Sequence, residues 1–85
     1  MDLEVRHLRV LCAIADAGSL HRAARELGLA QPSLSTQLRR IEQALGGRLF
    51  TRDRTGCRPT PLGRLVLGRA RPLVRELGAL VTEAR

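Results

Sequence analysis

Apolar residues recur along this chain at spacings of three and four, and each run is bounded by glycine or by a capping residue. Leu8, Leu11, Ile14 and Ala15 share one face of a helix predicted over Val5 to Ala17, which Gly18 stops. Ser19 is a good N-cap for a short helix from Leu20 to Leu27, with Leu20, Ala23, Ala24 and Leu27 as its buried stripe. Gly28 supplies a turn. A third helix begins after Leu29 and Ala30, with Pro32 in its first turn, where a missing N–H costs nothing, and Gly46-Gly47 at its end. Its inner face is Leu34, Leu38, Ile41 and Leu45. Two short helices joined by a tight glycine turn make a helix-turn-helix.

The pattern then changes. Leu49-Phe50-Thr51 favours a strand, Arg54-Thr55-Gly56 a turn, and Cys57 to Pro59 a short return, in which Pro59 can donate no ladder bond and so requires an edge. Thr60 caps a fourth helix that begins at Pro61. There Val66, Ala70, Leu73, Leu77, Leu80 and Ala84 alternate in steps of four and three, a heptad seam that calls for a second helix. Pro72 removes the bond to the carbonyl of Gly68, so a kink is expected at that point. The expected fold is mainly α: a winged helix-turn-helix over residues 1–60, built as a three-helix core plus a short β-hairpin wing, then a long linker or dimerisation helix over 61–85.

Charge sharpens this picture. All 15 basic residues are arginine, set against 8 acids for a net charge of +7. Residues 1–30 are balanced, and the whole excess falls on the third helix, the hairpin and the fourth helix. A concentrated basic region on a small domain points to a polyanion, most often nucleic acid. With Phe50 the only aromatic, base stacking of the kind used on single strands and RNA loses its support, which leaves duplex DNA. Cys12 and Cys57 make no CxxC, and His7 and His21 no HxxxH, so no metal site, disulfide framework or cofactor is expected. Both histidines read as surface or half-buried. Asp16, Ser19 and His21 include the residue types of a triad but crowd one helix junction where Ser19 already caps, so no catalysis is expected. No apolar run approaches membrane-span length and Met1-Asp2-Leu3-Glu4 lacks signal-peptide character, so the chain is expected to be cytoplasmic, with no membrane partner.

On a helical wheel Leu34, Leu38, Ile41 and Leu45 fall within about 60° of one another, while Pro32, Thr36, Arg39 and Gln43 centre on the far side with Ser35 and Arg40 flanking. Such a face suits the major groove. Short side chains permit close approach, Gln31 pairs best with adenine, Ser35 and Thr36 tolerate several bases, and Arg39 and Arg40 reach phosphates. Arg52, Arg54 and Arg58 cluster on the hairpin, where they reach a phosphate or a narrow minor groove. Two other classes share some of these features: a helical module whose arginines meet an acidic protein, and a fragment of a DNA-acting enzyme, for which no acidic metal ligands or nucleophile are found.

The stretch "AGSLHRAARELGLAQPSLSTQLRRIEQALGGRLFTR", with "PTPLG" after the hairpin, resembles the N-terminal domain of LysR-type transcriptional regulators across essentially the whole chain. The resemblance implies contacts to an operator in double-stranded DNA from Gln31, Pro32, Ser33, Ser35 and Thr36, and from the wing near Arg52 or Arg54. It also implies a homodimer through residues 61–85, a tetramer in a full-length parent, and a small-molecule effector bound only by a C-terminal domain absent from these residues. Ala30 stands where the family commonly has Ser or Thr, and Thr36 where Arg is common. Val10, Leu11 and Leu20 replace frequent aromatics.

Overall fold

The computed structural model describes residues 1–85 as α1 (Val5–Ala17), α2 (Leu20–Leu27), α3 (Gln31–Leu45), β1 (Phe50–Asp53), β2 (Gly56–Pro59) and α4 (Pro61–Ala84). Every element expected from the sequence is present. Ser19 accepts from the Arg22 N–H at 3.1 Å, and Thr60 accepts from the Gly63 N–H at 3.0 Å, as their positions ahead of α2 and α4 require. Ala30 offers α3 no side-chain cap. Gly28 closes the turn of the helix-turn-helix in a left-handed conformation, φ 69°, with its N–H directed at the Ala24 and Arg25 carbonyls.

One core unites these elements. Leu11, Ile14, Leu20, Ala23, Leu34, Ile41, Leu49 and Phe50 are all at most 3% exposed, so the first three helices and the start of the hairpin bury side chains in the same cluster. The two strands pair antiparallel in the register Phe50 to Pro59 and Arg52 to Cys57. Cys57 is buried in the core cluster, which removes the accessibility a redox-sensing thiol on the wing would need. Burial also pushes the half-buried Cys12 thiol up, against the opposing pull of Arg71.

α4 runs unbroken through Pro72. Its first half belongs to the common core: Gly63, Leu67 and Ala70 are buried, and Arg71 pairs at 2.8 Å with Asp16 of α1. From Gly78 onward every residue is exposed, so the last turns project from the domain, whose longest dimension is 42 Å.

Two side chains depart from expectation. Leu27, the last residue of α2 and expected in its buried stripe, is 36% exposed, and Leu29 just beyond it packs against the core instead. Ala15 and Leu45, expected on the inner faces of α1 and α3, are half-buried and do pack against the core. His7, expected at or near the surface, is buried: its Nδ1 accepts the Glu4 N–H at 2.9 Å, completing a capping box that starts α1.

Candidate nucleic-acid interface

The inward pull of Leu34, Leu38 and Ile41, at most 4% exposed, fixes how α3 is rotated and therefore what it shows to the outside. Gln31, Pro32, Ser33, Thr36, Arg39, Arg40 and Gln43 are exposed on its free side, and Ser35 is half-buried beside them. The first two turns of this face carry no charge. The Thr36 hydroxyl donates to the Pro32 carbonyl at 3.0 Å, which commits its proton to the helix backbone.

The hairpin stands beside this helix. Ser35 and Arg39 of α3 and Arg52 of β1 line one concavity of about 290 Å³, with Leu38, Glu42 and Arg48 completing it. The sequence did not disclose what holds its two walls together. Glu42, only 12% exposed at its side chain, accepts the Leu49 N–H at 2.7 Å and pairs with Arg48 at 3.6 Å, so a carboxylate on α3 anchors the residue before β1. Arg48 in turn donates to the Phe50 carbonyl.

At the tip, Asp53 accepts from the backbone N–H and the hydroxyl of Thr55, at 2.8 and 2.6 Å. Those two bonds hold the Asp53 carboxyl below its ordinary range and shape the turn. Arg58 donates to the Thr55 hydroxyl at 3.4 Å. The ion pairs within the chain occupy Arg6, Arg48 and Arg71; Arg39, Arg40, Arg52, Arg54 and Arg58 have no acidic partner. Helix face and hairpin thus carry five guanidiniums that form no ion pair, of which Arg39 and Arg52 line the shared concavity and Arg58 is near enough to Asp53 to help lower its pKa.

The six seam positions on α4 divide between two environments. Ala70 is 2% exposed and Val66 half-buried, facing α1, whereas Leu73 and Leu80 are 52% and 59% exposed. Leu77 is half-buried and Ala84 exposed. Besides Leu65 of α4, two residues from outside that helix join this apolar surface: Leu3, just before α1, and Leu8, near its start, line a groove of about 300 Å³ with Leu65, Val66, Ala70 and Leu73. Nothing in the spacing along α4 alone points to them.

A family model described as "Bacterial regulatory helix-turn-helix protein, lysR family" matches residues 5–64. The chain is 81% identical, over its full length, to a small neutral protease regulatory protein of Streptomyces coelicolor, of which it spans 26%. It is 43% identical over 83 residues to the HTH-type transcriptional regulator YdcI of Escherichia coli, again spanning 26% of that protein. Among solved structures, the DNA-binding domain of CbnR in complex with DNA superposes with a TM-score of 0.86 at 31% identity, covering 98% of this chain and 95% of that one. The BenM DNA-binding domain on benA site 1 DNA does so with a TM-score of 0.88 at 33% identity, covering 96% and 95%.

Proposed function

Because the chain belongs to the lysR family of bacterial regulatory helix-turn-helix proteins, we propose that it is the part of a cytoplasmic transcriptional regulator that reads an operator in duplex DNA. α3 enters the major groove: Gln31, Pro32, Ser33, Ser35 and Thr36 approach base edges, while Arg39 and Arg40 hold phosphates. The wing arginines Arg52, Arg54 and Arg58 lie on the flanking backbone or in the minor groove. The observation that carries this reading is the concavity lined by Ser35, Arg39, Arg48 and Arg52 with Glu42: the one acid there pairs with Arg48, and Arg39 and Arg52 form no ion pair. The action is binding, with no covalent step and no cofactor.

Residues 1–60 with the buried first turns of α4 form the reading unit. The rest of residues 61–85 is the linker, which pairs two chains through Leu73, Leu77, Leu80 and Ala84 beside the half-buried Val66. Ala70, expected in this seam, is 2% exposed and packs inside the domain. The exposed Leu3 and Leu65 extend that apolar surface beyond the seam. Tetramer formation and effector control belong to the rest of a longer parent. The relatives named small neutral protease regulatory proteins, 81% identical throughout, support an operator that governs such a protease gene.

The test is selection of a preferred duplex from random sequence, and then Gln31→Ala and Arg54→Ala on that duplex and its single-base variants at fixed salt. Gln31→Ala should relax the preference at one base pair by about 1–3 kcal/mol and barely alter non-specific affinity. Arg54→Ala should weaken all duplexes alike and make the salt slope shallower by about 1 per subunit. Absence of any selected sequence would favour the competing reading, a basic module that docks on an acidic protein.

A further inference from the structure

The hairpin touches the helical core at a second place, away from α3. The Cys57 N–H, which faces away from β1, donates to the Gly18 carbonyl at 2.8 Å. Gly18 ends α1, and Ser19, the next residue, caps α2. Beside this bond Gly56 leaves no room for a side chain: a Cβ there would collide with the same Gly18 carbonyl oxygen. Its φ of 129° is also one that L side chains rarely adopt. The neighbouring Cys57 side chain is buried in the core cluster.

Each strand of the wing is therefore tied to a different part of the helix-turn-helix. Glu42 of α3 holds the residue before β1, and the turn between α1 and α2 holds β2. A free two-stranded ribbon is marginally stable and twists at will; one fixed along both edges is a rigid arm.

We propose that the Gly18, Gly56 and Cys57 contact is a registry device that sets the offset between the bases read by α3 and the backbone position reached by Arg52 and Arg54. Gly56 and Cys57 are positioning residues: they touch no DNA and act through the wing arginines. The inference rests on the operator-reading function given above. Its consequence is that operator selectivity includes a fixed spacing between the helix-read bases and the wing-contacted flank. Loosening the contact would leave the first intact and lose the second.

A double-mutant comparison tests this. In the wild type, Arg54→Ala makes the salt slope shallower by about 1 per subunit. In Gly56→Ala the same second change should produce almost no further effect, because the wing is already displaced, while the base preference conferred by Gln31 persists. A role confined to stability would lower the melting temperature and leave the Arg54 effect whole. Should Gly56→Ala fail to fold, the 85-residue chain assembled chemically with an ester in place of the Cys57 amide removes that donor, at the cost of a weaker Gly56 carbonyl acceptor, and is read the same way. Retention of the full Arg54 effect in a chain lacking this contact overturns the registry alone. A wild-type chain that selects no duplex overturns the registry together with the function on which it rests.

Discussion

Glu42 connects the helix proposed to read DNA with the hairpin proposed to hold it, so replacing it with alanine should be felt in both stability and grip. In the native chain its carboxylate, 12% exposed, takes the Leu49 N–H at 2.7 Å. Leu49 itself is 1% exposed, so its amide gains no equivalent partner from water when the acceptor is removed. A hydrogen bond to a charged group contributes about 1.5–3 kcal/mol. The pair with Arg48, whose side chain is 67% exposed, adds at most about 1 kcal/mol after screening. Alanine's better helix propensity returns a few tenths, roughly 0.4 kcal/mol or less. The expected loss for Glu42→Ala is therefore roughly 1–4 kcal/mol, or on the order of 5–30 °C in melting temperature for a domain of this size. Glu42→Gln keeps an acceptor and loses the charge, and should fall about halfway between. The assay is thermal unfolding monitored by circular dichroism at one fixed chain concentration, since pairing of chains would make the midpoint concentration-dependent. A Glu42→Ala midpoint within about 3 °C of wild type, less than 1 kcal/mol by the same conversion, refutes the account of how the hairpin is anchored.

Two further outcomes are expected. Replacing Leu73 and Leu77 with glutamate should leave a folded monomer by light scattering at tens of micromolar, roughly the range in which modest pairing is visible; a wild-type chain that is itself monomeric there removes α4 from the role of dimer seam. Asp53 has a folded-state pKa below its ordinary 3.8 because Thr55 donates to its charged form, so its contribution to the turn is complete above that ordinary value and is lost as pH falls through the lowered one. The Thr55 amide resonance should titrate with a midpoint under 3.8, and a midpoint at or above it would mean the two bonds do not form in solution.

Local signals in the sequence determined the elements. Ser19 and Thr60 as caps, Gly18, Gly28 and Gly46 as stops, and leucines at helical spacing act over a turn or two of chain, so each helix is legible without knowing its neighbours. The uncharged outer face of α3 was legible for the same reason, because the periodicity that assigns Leu34, Leu38 and Ile41 to the core leaves Gln31, Ser33 and Thr36 outside. The arginine-rich hairpin and the family resemblance were likewise in the order of residues.

Tertiary structure decided which surfaces meet. Periodicity defines a helix face but not what covers it, so only packing shows that Ala70 is sealed within the domain while Leu73, three residues on, is open, or that Leu3 and Leu8 join the groove along α4. The burial of His7, whose Nδ1 accepts the backbone N–H of Glu4 three residues earlier, is not announced by the residue type, because any chain offers that donor and only the fold covers the ring. The ties between Asp16 and Arg71, 55 residues apart, between Glu42 and Leu49, and between Gly18 and Cys57 leave no trace in spacing. A single carboxylate or carbonyl in a chain has many potential donors, and only the closed fold brings one of them within about 3 Å while excluding the water that would otherwise satisfy it.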